Sequence, residues 1–469
     1  MADESMRLPE AVAAAIGLED VDRGTIHELV RVWQAHKWRN DLRDRYYNGH
    51  VRIKDIGVAI PRRLARRIDP RSDWPRKAVM ALANRSRFDG FTTTDEATVS
   101  ELERICAENN LRELYRKVVI DELIHSFSLL AVTSDGDPDA PRPLIHSYPA
   151  TCAGVTWDDD LRAVKAALVI QASRLRPDGR TREPIAMRAF TRGAVIDIVL
   201  TPKGWAAVYT EHSMGRPLVE PLVHGRTDLR PFGHSRISPA VMSITDDAIR
   251  EQARSEIAAE FSALPQKWVV GTETMTTGTD QKKYNAAMGV ILEFTKDNDG
   301  DHATVGQFAQ LSMQPHIDYM RSLAAQFSGV TNVPLSSLGV VSDNPSSAEA
   351  IYAAKEDLVI DAQNLNDSNG RALNVVALMA LAVAHGTDYA TERAANLAIA
   401  AKFTNPAMPS VVSQSDAMVK QISALPWLAD SDVALEELGY TDEKIQRLRS
   451  DRRKAAFLQG YTTSEQSRT

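Results

Sequence analysis

Two cysteines, Cys106 and Cys152, are all the thiol chemistry in this 469-residue chain. That is too few for a disulfide framework and fits a reducing compartment. Long apolar runs are also missing. The most apolar stretch, Ala372 to Ala384, falls short of the roughly 20 residues a spanning helix needs. The opening Met1-Ala2-Asp3-Glu4-Ser5 has neither a basic nor an apolar region, so no signal peptide is expected. A soluble protein without a membrane partner is predicted. Excess positive charge is lacking too. The formal net charge is −7, which argues against a nucleic-acid binder that works by bulk attraction. No GxxxxGK[ST] loop, HExxH, GxSxG or paired CxxC occurs, which removes the familiar motor, zinc-protease, serine-hydrolase and zinc-ribbon signatures. There is no internal repeat and no low-complexity tract.

What is present is an ordinary globular composition, 43% hydrophobic and 25% charged, in a chain long enough for several domains. Helical spacing of Leu29, Val32, Trp33, His36 and Leu42 predicts a helix over 24–47 that stops at Asn48-Gly49. Arg52 to Arg71 holds the densest basic cluster, interrupted by Asp55 and Asp69. A solvated helix face, a subunit contact or a polyanion contact would each account for it. Pro75 to Leu82 predicts a helix closed by 84–91. A single helix is predicted near 97–128, with Leu102, Ile105, Leu111, Leu114, Val118 and Leu123 inward. From 129 to 225 the pattern turns to short strands, at 128–133, 163–171, 185–191, 195–201 and 206–209, separated by Gly, Pro and Asp turns. The fold class is α+β.

The middle of the chain is its most distinctive part. Ser238-Pro239 is a sound helix start, with serine as cap and proline at the first helical position. Ile237, Val241, Ile244, Ala248, Ile257, Phe261 and Leu264 form one apolar stripe, interrupted near 252–254. At ~1.5 Å per residue the helix is a rod of roughly 39 Å. A narrow stripe of this kind suits packing against copies of itself or one face of a globular domain. A β-prone, turn-rich insert follows, with strands expected at 268–270 and 290–294. A second helix begins near Pro315, with Ile317, Met320, Leu323, Ala324 and Phe327 inward, and ends at Gly329. Residues 336–347 form a Gly/Ser/Pro loop. Ser346 and Glu349 make a capping box for a long helix that carries Leu358, Ile360, Ala362, Leu365, Leu373, Val376 and Met379 toward His385-Gly386, with a break expected at 368–370. Further helices are expected at 413–424, 431–437 and 441–457.

Candidate metal chemistry is thin. Asp297, Asp299 and Asp301 surround Gly300, but the spacing fails the calcium-loop pattern, which would put Phe308 where a glutamate belongs. Asp158-Asp159-Asp160 reads as a turn between strands. Asp121, Glu122 and His125 share a predicted helix face, where a surface or core role outweighs a metal site. Three readings stay open: a structural assembly protein, a metal-dependent nucleic-acid-processing enzyme using one of these acidic groups, and a scaffold or adaptor.

Several segments resemble the portal proteins of tailed double-stranded DNA phages, in the branch typical of siphophages of actinobacteria. Near the N-terminus they are Tyr46-Tyr47-Asn48-Gly49, Trp74-Pro75-Arg76-Lys77-Ala78-Val79 and Phe88-Asp89-Gly90-Phe91. In the middle they are Pro231-Phe232-Gly233-His234-Ser235-Arg236-Ile237, Phe261 to Lys267, Asn332-Val333-Pro334-Leu335 and Asn344 to Ala350. Near the end they are Ser415-Asp416-Ala417 and Leu438-Gly439-Tyr440-Thr441. Each is weak alone; their order and spacing are specific.

The resemblance implies a portal fold. It has a wing (1–237), a first stem helix (238–264), a clip (265–312) and a second stem helix (313–330). A tunnel loop with a long wing helix (331–400) and a crown (401–469) complete it. It implies a homo-oligomeric ring, usually of twelve subunits, at a capsid vertex of the virion, assembled in the host cytoplasm. Its partners would be double-stranded DNA in the channel, the terminase large subunit, the major capsid and scaffolding proteins and a head-completion adaptor. No enzyme activity, cofactor or metal is implied. Ser342, Asp343, Asn344, Ser346 and Ser347 would face the channel, with Lys355 as a possible DNA contact. Val241, Ile244, Ile257 and Phe261 would pack the stem. Lys267, Trp268, Lys282 and Lys283 would belong to the terminase-docking clip. One departure stands out: 336–347 holds no lysine or arginine, and its one charge is Asp343.

Overall fold

The computed structural model describes residues 2–52, 68–136, 142–176, 179, 182–263, 267–270, 304–307, 312–339, 355–407, 411–431, 434–435, 438–440 and 444–454. Side chains at 2–7, 260–263, 267–270, 305, 307, 411–414, 416–417 and 430 are outside that description. Two units divide at Pro406/Ala407.

The first unit opens with α1 (Ala2–Ala13), α2 (Asp20–Tyr47), α3 (Trp74–Ala83), β1 (Phe88–Thr92), α4 (Glu96–Glu108) and α5 (Leu111–His125). Eight strands follow: β2 (Phe127–Ser134), β3 (Pro143–Pro149), β4 (Ala153–Asp158), β5 (Ala163–Leu175), β6 (Arg182–Phe190), β7 (Ala194–Thr201), β8 (Gly204–Glu211) and β9 (Val219–Val223). Then come α6 (Pro239–Ala263), β10 (Lys267–Val270), β11 (Thr304–Gln307), α7 (Gln314–Thr331), α8 (Glu356–His385), α9 (Tyr389–Ala395) and β12 (Ala400–Phe403). The second unit contains α10 (Val411–Ala424) and a 3-10 turn at Pro426–Asp430.

The α+β class holds. Strands β4 to β8 form a five-stranded antiparallel meander, and β3-β2-β9 a three-stranded antiparallel sheet. The alternation of β7 explains its place in the larger sheet. Ile196 and Ile198 point to α2, and Val195 points to the opposite core. On the α2 side, Ile26, Leu29, Val30 and Trp33 pack on Leu168, Met187, Ile196 and Ile198. Trp33 Nε1 donates to the Thr151 carbonyl (2.8 Å) and Asn40 Nδ2 to that of Ala150 (3.1 Å), which locks the helix to the sheet edge. The larger core lies between α5, α8 and the three-stranded sheet, around Tyr115, Val118, Leu123, Leu129, Leu373, Val376 and Met379. Full burial of each large apolar side chain contributes roughly 1.5–3 kcal/mol.

Several expectations are corrected. The helix over 97–128 is two helices, broken where Asn110 takes a left-handed backbone (φ 47). The neighbouring Asn109 then staples the break to β3, donating to the Pro143 carbonyl (3.0 Å) and accepting from Ile145 N (2.7 Å). Residues 88–91 belong to strand β1, which pairs with β12 far along the chain. The break expected at 368–370 is absent. Asn369 is buried inside a continuous α8, donating to Tyr115 Oη (3.1 Å) and Glu122 Oε2 (2.8 Å). Gly370 lies beside the Phe403 ring, where a Cβ would sit at an ordinary contact distance of 3.4 Å. These residues look like punctuation locally but serve tertiary packing. Ile317 and Ile360 are exposed rather than inward. The capping box at 346–349 and the strand at 290–294 lie outside the described residues. Among the described residues, no single helix is long and apolar enough to cross a membrane.

Candidate functional site at a three-helix junction

Ser235, Arg236 and Ile237 lead into α6, and their conformation is set by the C-terminal end of α5. Arg236 N donates to the Leu123 carbonyl (2.9 Å), and the buried Ser235 Oγ to that of Ile124 (2.5 Å). Ser238 Oγ then accepts from Val241 N (3.3 Å), the expected cap. Thus aimed, the Arg236 guanidinium reaches three helices at once. Nε donates to the Ala78 carbonyl of α3 (2.9 Å), Nη2 to the Thr331 carbonyl at the end of α7 (2.5 Å) and Nη1 to Asp361 Oδ2 in α8 (3.3 Å). Only 8% of its side chain is accessible. Burial lowers its pKa and Asp361 opposes the shift; an arginine so placed stays charged. Asp361 Oδ2 also accepts from Asn332 Nδ2 (3.1 Å), and Asn332 ends α7 in the left-handed region (φ 54).

The junction borders an open cleft of about 900 Å³, with Trp157, Arg162, His224, Arg226 and Arg371 among its walls. Arg226 stacks over Trp157 (4.9 Å). At its rim the chain turns at Asp228-Leu229, closed by reciprocal Thr227–Arg230 backbone bonds. Gly233 (φ 60) is required there, because a Cβ would meet the His224 carbonyl at 2.0 Å. Helices α6 and α7 pack on each other, and His316 of α7 contacts the buried Glu251 of α6 (2.5 Å).

Residues 26–456 match the family described as "Phage portal protein, SPP1 Gp6-like". The chain belongs to the phage portal protein family. Portal proteins of Mycobacterium phages L5 and D29 are each 26% identical to it, over 92% of this chain and 89% and 88% of theirs. Among solved structures, it is similar to a chain of the virion of a native gene transfer agent (GTA) particle. Identity is 14%, TM-score 0.44, and 82% of this chain and 95% of that one are covered. It is also similar to a chain of the neck of the native GTA particle (15%, TM-score 0.42, 78% and 90% covered). A portal protein is a structural component of the phage capsid vertex, and that is the place of this one.

In this portal protein, Val241 (1% exposed) and Ile257 (7%) are buried within the single chain, and Ile244 is half-buried. Ala253 carries the apolar stripe through the gap expected at 252–254. Phe261 is in α6, and Lys267 and Trp268 are in β10, with their side chains outside the described residues. Lys282, Lys283, Ser342, Asp343, Asn344, Ser346 and Ser347 lie wholly outside them. Lys355 is half-buried at the start of α8. Asp158 Oδ1 accepts from Leu161 N (3.0 Å), closing the turn after β4. The Arg236–Asp361–Asn332 junction carries no motif of its own. Arg236 and Asn332 sit in two of the segments resembling portal proteins, but nothing in the sequence pairs them with Asp361.

Proposed function

We propose that this portal chain assembles into a closed homo-oligomeric ring, of twelve subunits, through which double-stranded DNA enters and leaves the phage head. Helices α6 and α7 form the stem, 265–312 the clip, 342–347 the channel lining, and 1–237 the wing. The clip receives the terminase large subunit and later a head-completion adaptor. The wing meets the major capsid and scaffolding proteins. The protein acts without catalysis and without a cofactor.

The observation that carries this reading is the family match over residues 26–456. The charge supports it. Duplex DNA carries one charge per roughly 1.7 Å, so a basic wall would hold it by counterion release. A chain of net charge −7 instead builds an acidic ring past which DNA can slide. Negative-stain images of the purified protein test the reading. Rings with an open central hole about as wide as a duplex are expected. Monomers or solid particles would refute it. Divalent-dependent DNA cleavage by the folded protein would restore the enzyme reading.

A further inference from the structure

One strongly basic element stands apart from the stem, clip and channel segments. Residues 444–454, in the second unit, are helical. They hold Lys444, Arg447, Arg449, Arg452, Arg453 and Lys454 against the single acid Asp451, and all seven side chains are exposed. Asp442 and Glu443 precede the run in the sequence. The rest of the chain is therefore more acidic than the overall net charge of −7.

The helix has a defined outward side. Ile445 is 3% exposed and anchors it to its own unit. At ~3.6 residues per turn, Arg447 and Lys454 fall nearly opposite Ile445, with Lys444 and Arg453 on the flanks. None of these four has an ion-pair partner among the described residues. Exposed cations elsewhere are neutralised locally. Arg104 meets Glu101 and Glu108, Arg174 meets Glu183, and Arg250 meets Asp247. A solvated helix face of the ordinary kind mixes both signs in this way; a block of one sign is an interaction element.

The composition selects the partner. A protein interface needs an apolar or aromatic anchor at its centre, and a membrane-surface helix needs an apolar face. Within 444–454 the one exposed apolar side chain is Leu448. Duplex DNA needs neither. Its major groove admits an α-helix and is bordered by phosphates on both sides. Eleven residues at ~1.5 Å each span roughly 16 Å, enough to meet several of those phosphates. We propose that 444–454 is a duplex-DNA contact, in which Lys444, Arg447, Arg453 and Lys454 engage backbone phosphates without reading base sequence. It is a contact separate from the channel lining at 342–347, and it does not require that a ring forms.

The purified full-length protein is titrated into a short fluorescein-labelled duplex, and anisotropy is followed over a series of salt concentrations. Four phosphate contacts should give a slope of log K against log salt of about −3 to −4. Arg447→Glu/Arg453→Glu/Lys454→Glu should weaken binding about tenfold or more at low salt and flatten the slope by about 3. The control, Arg31→Glu/Lys165→Glu/Lys203→Glu, makes the same net charge change at three exposed cations of the first unit. It should keep the wild-type slope. Where the reversal variant fails to fold, Arg447→Gln/Arg453→Gln/Lys454→Gln carries the test, with a loss in the same direction expected. Wild-type binding and slope in the folded variant overturn the proposal. An equal loss in the control assigns the binding to overall charge and overturns it too. So does a wild-type protein that leaves the duplex unbound, or that binds polyglutamate more tightly than the duplex, which would assign the segment to an acidic protein. Duplex binding by protein that forms no rings leaves this contact standing and refutes the portal reading alone.

Discussion

Glu122 is the clearest case of a single residue whose chemistry is set by its surroundings. It is fully buried, and Asn369 donates to Oε2 (2.8 Å). Neither Glu122 Oε1 nor Asn369 Oδ1 has a hydrogen-bond partner among the described residues. Burial is the dominant influence and pushes the carboxyl up to about 8, with Asn369 and then Arg226 pulling the other way. A proton on Glu122 supplies a donor where two acceptors face none. The sign follows from linkage. The folded pKa lies above the ordinary value of 4.5, so the folded state binds the proton more tightly. The stabilisation is full below pH 4.5 and is lost as pH rises through about 8. Glu122→Gln keeps the shape and removes the titration. Its melting temperature should be flatter than wild type between pH 5 and 8 and higher by a few degrees at pH 8. Thermal melts at half-unit pH steps check this. Identical slopes would mean that the buried carboxyl titrates normally.

Among the elements, the docking of α2 on the five-stranded sheet depends on one absent side chain. A Cβ on Gly154 of β4 would meet the Leu29 carbonyl at 2.3 Å and Trp33 Cβ at 3.1 Å. Helix and strand approach so closely because nothing stands between them. Gly154→Ala should therefore lower stability by about 1–3 kcal/mol through forced displacement of α2. Gly193→Ala, where a Cβ meets nothing within 4 Å, should change it by less than about 0.5 kcal/mol. Chemical denaturation of both variants measures the difference, and equal midpoints would contradict the packing argument. The same contact shows what sequence could and could not say. Helix α2 and its stop at Asn48-Gly49 were legible because both depend on neighbours in the chain. So were α6 with its Ser238 cap and five strands of the β-rich region. Strand β1 was not, because its partner β12 lies more than 300 residues away. Nor was the unbroken α8, because Asn369 answers to Tyr115 and Glu122 rather than to its own helix. The junction was illegible for the same reason: it consists entirely of long-range side-chain bonds.

For the whole molecule, the decisive quantity is how the assembled channel treats a polyanion. The segment 336–347 carries no lysine or arginine, and its single charge is Asp343. A ring of such segments cannot hold DNA by counterion release, which needs cations at the phosphates. If it lines the channel, as proposed, it can act on DNA only by steric bulk. Deleting 340–346 should therefore leave the number of subunits in the ring unchanged, because the segment offers no apolar anchor rich in aromatic residues or arginine of the kind that dominates stable interfaces. Under the channel-lining proposal it should reduce the genome retained in filled heads, because a constriction resisting backward slippage would be gone. Nuclease-protected genome length, followed with time after packaging stops, reads that loss directly. Asp343→Lys should act in the opposite sense. It removes one negative charge and adds one positive charge per copy, and retention should then weaken with rising salt as phosphate contacts are screened. Full-length genome, stably retained by the deletion variant, would remove 340–346 from the channel.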